Sequence, residues 1–528
     1  MSGKAESRSF LKGATLIMLA TVLAKALGAC YRIPLTNILG AEGMGVYQLI
    51  YPVYSLILTS SSGALPVAVS VLVASATSEG KTEEARKLVR SALAALLFAG
   101  IALAAALVLF SGLIGRLQGS EDTRWGYIAI APSVFFVSGI AVFKGWFQGK
   151  ANMLPTALSQ ITEAAVRLVA GLLLAYFLSG YGIAFSVAGA LIGVSAAEGF
   201  TLLMLYIFYR KKNPPLALRL DYRQAKEEYK AILRISLPIT VGSMIFPLTQ
   251  FVDSFLVVNI LSASIGTSAA TASYGLLSGP VNTLINLPVT FALAVGVAVV
   301  PHLAKNRTEH DIDSIRLKLA TAVKVSVAIG VPFAALFLAA PLEVLGFLYP
   351  ALAPAELEEA GVLLRISALT VISLAVMQIC VSVQQGLGDT RTPIINLAVG
   401  GAVKVVLDVA LLFAIGIEGV AIASLLAFTT SATLNALSLT RLTGKNPDML
   451  KNSGVILLCG VIICLPVPIA AVFGGSRALT LAVATVAGTI YLAALFVLPV
   501  FRKCELLSLP LGGKLAALSE KLKIKRAD

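Results

Sequence analysis

The chain is poor in charge, histidine and cysteine. Of its 528 residues, 13% are charged, two are histidine and five are cysteine. Cys30, Cys380, Cys459, Cys464 and Cys504 show no metal-ligand spacing and imply no disulfide framework. Four of them lie in or at the ends of apolar runs, where a small apolar side chain suits its surroundings. His302 and His310 fall in a polar loop and read as surface residues. No Walker-type phosphate loop is present, which argues against ATP hydrolysis by this chain. The loops hold no Ser/His/Asp or metal-ligand constellation, so the residues of a soluble catalytic module are missing.

What fills the chain instead is apolar. Hydrophobic residues make up 58% of it and the mean hydropathy is +0.90. A soluble protein of this length has too little interior to hide that much apolar surface. A bilayer-crossing helix takes roughly 20 mostly apolar residues, and such runs recur at 10–31, 44–77, 89–114, 126–147, 156–178, 183–209, 230–260, 270–300, 317–340, 361–385, 393–415, 418–440, 453–473 and 477–501. The fold class expected is an all-α polytopic membrane protein of about fourteen transmembrane helices. Lys4, Arg8 and Lys12 precede the first run, which reads as an uncleaved first helix.

The net charge of +14 would suggest nucleic acid in a soluble protein. Here the basic residues sit between apolar runs and set topology instead. With the N-terminus in the cytoplasm, 33 of the 41 basic residues fall on the cytoplasmic side. The other side holds Arg32, Arg116, Arg124 and Arg477, and an external loop near 341–360 is acidic. This bias places both termini in the cytoplasm of a multi-pass protein of the cell membrane.

The polar stretch at 210–229 divides two halves that echo each other. Gln148-Gly149, Pro155 and Gly182-Ile183 return as Gln385-Gly386, Pro393 and Gly416-Ile417, and Tyr47 returns as Tyr274. Parallel repeats fit if six spans repeat and the last two are an appendage. The expected domains are an N-terminal lobe at 1–209, a cytoplasmic linker at 210–229, a second lobe at 230–442, two further helices within 443–503 and a tail at 504–528. In the tail, Leu515, Leu518 and Leu522 share one helical face among lysines, which suits either an amphipathic helix on an anionic lipid surface or a solvated tail. Pro52 and Pro66 in the second run, and Pro280 and Pro288 in the eighth, read as matching kinks or as static packing features.

Ionisable groups inside a bilayer cost on the order of 2.5–3.5 kcal/mol each on insertion scales, so they face a partner or a wet cavity. Lys25 in the first span suits a cavity that admits an anion, or a structural pair. Arg32, near the outer end, is a ligand or an interface anchor. Glu163 and Arg167 are four residues apart, as are Lys404 and Asp408 in reversed charge order, so each pair shares a helix face. Arg365 and Glu198 are isolated in sequence and read as partnered by neighbours distant along the chain. Gln250 stands one helical turn before Asp253.

The strings LGACYRIPLTNILGAEGMGVYQ after the first span and QQGLGDTRTP after the tenth resemble the polysaccharide-exporter branch of the multidrug/oligosaccharidyl-lipid/polysaccharide exporter superfamily. Within it, the chain is most similar to the stage V sporulation and lipid II flippase families, across essentially all spans. The resemblance implies two six-helix lobes around a central cavity, two extra C-terminal helices and alternating access. Lys25 matches a cavity arginine of the flippases, and Arg32 matches with a one-residue shift. Basic residues that many family members carry in the second span are absent from YPVYSLILTSSSG. The sodium ligands of the flippases fall on Asp253, Asp408, Val420 through its carbonyl, and Ser424. Lys404 stands where those relatives have asparagine, and its ammonium is expected either to replace sodium or to titrate and couple transport to protons.

The function expected is therefore translocation of a lipid-linked oligosaccharide, of the lipid II peptidoglycan-precursor type, by a monomer in contact with membrane lipids. Lys25, Arg32, Arg167 and Arg365 are the expected substrate-binding cations. Asp253, Lys404, Asp408, Val420, Ser424 and Gln250 are the expected coupling residues. No cofactor beyond sodium or a proton, and no nucleic acid, is expected. A multidrug cation antiporter of the same superfamily would favour acidic and aromatic cavity residues, which these four cations fit poorly. A membrane-embedded glycosyltransferase would need paired carboxylates on a large external loop, and the longest external loop here is only about 20 residues.

Overall fold

The computed structural model describes residues 2–62, 64–214, 222–293, 312–444, 447–474, 476–498, 500–501 and 505. His302, His310, residues 215–221 of the linker and the leucines of the tail lie outside these residues. Every regular element among the described residues is helical. Two compact units divide the chain at Gly279/Pro280.

In the first unit, α1 (Ser2–Ser62) is one helical run bent at Gly40, whose φ of 69° is open to glycine at little cost. Then come α2 (Leu65–Ser78), α3 (Thr82–Leu117), α4 (Thr123–Gly149), α5 (Leu154–Leu178), α6 (Ile183–Arg210), α7 (Tyr222–Ser243), α8 (Ile245–Ile265) and α9 (Thr267–Leu276). The second unit holds α10 (Ile312–Ala339), α11 (Pro341–Leu348), α12 (Pro354–Ser367), α13 (Thr370–Gly386), α14 (Arg391–Ile415), α15 (Ile417–Thr443), α16 (Pro447–Cys459), α17 (Val461–Cys464), α18 (Pro466–Gly474) and α19 (Arg477–Val497).

Twelve helical runs among the described residues are long and apolar enough to cross a bilayer, or thirteen when α12 and α13, bent by 46°, count as one span. The count differs from fourteen because the expected spans 10–31 and 44–77 fall in one run, Leu16–Ser78. At about 1.5 Å per residue such a run is far longer than a ~30 Å hydrocarbon core. The expected seventh span, 230–260, is split at Met244 into α7 and α8. Pro66 opens α2, and Pro280 sits in a π-helical turn, Leu277–Val281, so both prolines stand where a helix is interrupted.

The repeat read in the sequence has a structural counterpart within each unit. At the end of α4, Ala151 N–H donates to Gln148 O and Asn152 N–H to Phe147 O. At the end of α13, Gly388 N–H donates to Gln385 O and Asp389 N–H to Gln384 O. The left-handed residues at these turns are Ala151 (φ 53°) and Gly388 (φ 80°). The following helices α6 and α15 likewise both start at a positive-φ glycine, Gly182 and Gly416.

Small residues let helix backbones approach where lipid supplies no hydrophobic drive. A Cβ on Gly45 would stand 2.0 Å from Thr271 O, and one on Gly275 2.2 Å from Ala41 O, so α1 and α9 touch backbone to backbone. Gly45→Ala is therefore expected to cost roughly 1–3 kcal/mol of stability through overpacking, read as a lower melting temperature in detergent. Gly488→Ala, at a site with nothing within 4 Å of the new Cβ, is the control and is expected to leave melting unchanged.

Candidate functional site

Helical spacing gathers Thr21, Lys25, Gly28 and Arg32 on one face of α1. Thr21 Oγ1 donates to Gln160 Oε1 on α5 at 2.9 Å. Lys25 is exposed, and a Cβ on Gly28 would meet nothing within 4 Å, so the strip between the two cations is open. Arg32 lies over the ring of Tyr51, 5.9 Å from its centroid. Among the described residues neither Lys25 nor Arg32 has a carboxylate within ion-pair distance. Beyond the Gly40 bend, Tyr51 stacks on Tyr47 at 5.9 Å and meets Tyr54 edge-on at 6.0 Å.

Arg167 is placed differently. Its Nη2 donates to Glu163 Oε1 at 2.6 Å, one turn away on α5, and reaches Glu198 Oε1 on α6 at 3.5 Å. Lys144 Nζ on α4 stands 4.0 Å from the other oxygen of Glu163. Three helices thus contribute two cations and two carboxylates, and the formal charges cancel. Glu198, which sequence left isolated, has its partner here and is 4% exposed. Lys144, one of the 33 basic residues assigned to the cytoplasmic side, lies within α4, five residues before the helix ends at Gly149 and inside the apolar run 126–147.

In the second unit Lys404 Nζ donates to Asp408 Oδ2 at 2.7 Å, and the two side chains are 7% and 0% exposed. Val420 is buried and Ser424 half-buried on α15. Gln250 and Asp253 are half-buried on α8 of the first unit. Arg365 is exposed in the last turn of α12, with no carboxylate partner among the described residues.

A neutral network joins the core of this unit. Asn396 Nδ2 donates to Asn435 Oδ1 at 3.1 Å and to Ser438 Oγ at 3.3 Å, and Gln384 Nε2 donates to Asn435 O at 3.3 Å. Gln384 belongs to the QQGLGDTRTP string, whose turn carries Gly388 at φ 80°. Asp389 in that turn accepts Thr392 N–H at 3.1 Å. Burial works upward on its carboxyl, but hydrogen bonds from Thr392 and Arg391 outweigh it and hold the group below the usual carboxylate range.

Lys324, one of the 33 basic residues assigned to the cytoplasmic side, is instead inside α10, 1% exposed at the side chain, and its Nζ donates to Glu505 at 2.6 Å.

The family described as "Polysaccharide biosynthesis protein" matches residues 10–307, and that described as "MatE" matches residues 238–410. The chain is similar to stage V sporulation protein B of Bacillus subtilis (strain 168), 26% identical over 521 residues, covering 96% of this chain and 99% of that protein. It is also similar to lipid II flippase MurJ of the same organism, 23% identical over 479 residues, covering 86% of each. Among solved structures, lipid II flippase MurJ in an inward closed conformation aligns with a TM-score of 0.73 at 17% identity, over 91% of this chain and 99% of that one. An inward-facing multidrug resistance MATE family transporter of the MOP superfamily aligns with a TM-score of 0.66 at 17% identity, over 80% and 96%. The two solved structures share the fold with this chain.

Proposed function

We propose that this chain, which belongs to the polysaccharide biosynthesis protein family and is a membrane transporter of the MOP superfamily rather than an enzyme, carries a lipid-linked oligosaccharide across the cytoplasmic membrane. Lys25 and Arg32 receive its pyrophosphate. The observation that carries this reading is the contrast between cations. Arg167 and Lys404 are each satisfied by carboxylates, whereas Lys25 and Arg32 have no carboxylate partner among the described residues and share one open face of α1. Unpaired cations at bilayer depth persist where water or an anion meets them. A pyrophosphate supplies acceptors for both a lysine and a planar guanidinium, and charge-assisted hydrogen bonds of this kind contribute about 1.5–3 kcal/mol each. Arg167 then acts as a positioning residue that holds α4, α5 and α6 together around Glu163 and Glu198.

The residues present do not fit a resident sodium ion at Asp408. The Lys404 ammonium, 2.7 Å away, already supplies the positive charge. In this reading Lys404 is a tethered cation, and coupling runs through its attachment to and release from carboxylates. The excess of basic residues on one side of the spans, which remains when Lys144 and Lys324 are set aside, supports cytoplasmic termini.

The cargo proposed is a lipid II-type precursor, on the likeness to stage V sporulation protein B and lipid II flippase MurJ. Expression in a strain depleted of its lipid II flippase tests it. Restored growth, with lipid II labelled at the outer surface, is the expected result. Failure there together with rescue of a capsule-export mutant would move the cargo to another lipid-linked sugar.

A further inference from the structure

One face of α10 seats the C-terminal helices. Lys324, Ala328, Val331 and Ala335 follow helical spacing along it. Tyr491 Oη of α19 donates to Ala328 O at 3.1 Å, a Cβ on Gly460 would stand 2.8 Å from Val331 Cγ1, and Cys464 of α17 lies against Ala335 O. The contacts at Val331 and Ala335 are apolar or weakly polar, and such surfaces tolerate a shift of register at little loss, because burial is non-directional. Tyr491 adds one neutral hydrogen bond to the backbone. The fourth contact is both directional and charged. Lys324 Nζ donates to Glu505 at 2.6 Å and to Val500 O at 3.3 Å, with both ion-pair side chains at most 3% exposed.

A buried ion pair adds little over an apolar contact, but it forms in one geometry and leaves a costly unpaired charge when that geometry is lost. We infer that Lys324 and Glu505 are a register pin: the pair fixes the C-terminal helices on α10 in a single position and makes them one body with it. The expected appendage is in this sense part of the second unit.

The test is disulfide formation between Val331→Cys and Gly460→Cys in full-length protein, in membranes, with the native cysteines replaced by serine. The parent is expected to cross-link nearly completely. Lys324→Met, which removes the ammonium that donates to Glu505, is expected to lower the yield about fivefold or more, and the exchange Lys324→Glu with Glu505→Lys to restore most of it. An unchanged yield in Lys324→Met overturns the inference. So does an exchange variant that cross-links no better than the single one, and this comparison decides the matter if Lys324→Met does not accumulate. The yield is read on the protein alone, so it is independent of the cargo.

Discussion

Changing Lys25 and Arg32 together to glutamine is expected to lower translocation of a lipid-linked sugar by about two orders of magnitude or more, with folded protein at normal levels. Each change removes a charge-assisted hydrogen bond to phosphate, about 1.5–3 kcal/mol, and 1.4 kcal/mol is about tenfold in rate or affinity. Folding is spared because neither side chain balances a carboxylate among the described residues and the strip between them is open. Initial rates in vesicles, normalised to folded protein, check this. Arg167→Gln is expected to fail in the opposite way. It leaves Glu163 and Glu198 without the guanidinium that touches both, at 2.6 and 3.5 Å. The buried Glu198 and the half-buried Glu163 then repel, and the loss appears first as less folded protein. If the two variants fail alike, the division of labour between these cations is wrong.

The second large effect concerns Lys404. Lys404→Met removes the ammonium 2.7 Å from Asp408, whose side chain is 0% exposed, and breaking one side of a buried pair costs about 3–5 kcal/mol. A marked fall in melting temperature is expected. Adding Asp408→Leu removes the buried carboxylate and is expected to return most of the stability while transport stays lost. Lys404→Asn removes the ammonium and keeps a neutral polar side chain beside the carboxylate. That variant is expected to gain stabilisation by sodium over potassium, while the parent is expected to melt at the same temperature in both. A parent stabilised by sodium as strongly as Lys404→Asn would show that the ammonium does not stand in for the ion.

Much of this was legible in the sequence because it is local. Apolar runs mark spans by length, and pairs four residues apart, Glu163–Arg167 and Lys404–Asp408, mark bridges by helical geometry. The repeat was visible in Gln148-Gly149 and Gln385-Gly386, since both close helices with the same turn hydrogen bonds. Contacts between helices distant in sequence were not legible. Nothing in the spacing joins Arg167 to Glu198, Lys144 to Glu163, or Lys324 to Glu505, because each pairing depends on how helices pack rather than on their own periodicity. The single run through Gly40 was missed for a related reason. Its polar residues, Arg32, Asn37 and Glu42, look like a loop, yet the backbone stays helical on both sides of one left-handed glycine.

The most direct measurement is translocation itself. Purified protein in sealed vesicles is given a fluorescent lipid-linked oligosaccharide in both leaflets, and the fraction open to a membrane-impermeant glycosidase is followed. With active protein that fraction is expected to rise beyond the outer-leaflet share toward completion, and with Lys25→Gln/Arg32→Gln it is expected to stay at that share. Protein that leaves the inner-leaflet pool protected, yet exchanges an organic cation across the same vesicles, would contradict the assignment.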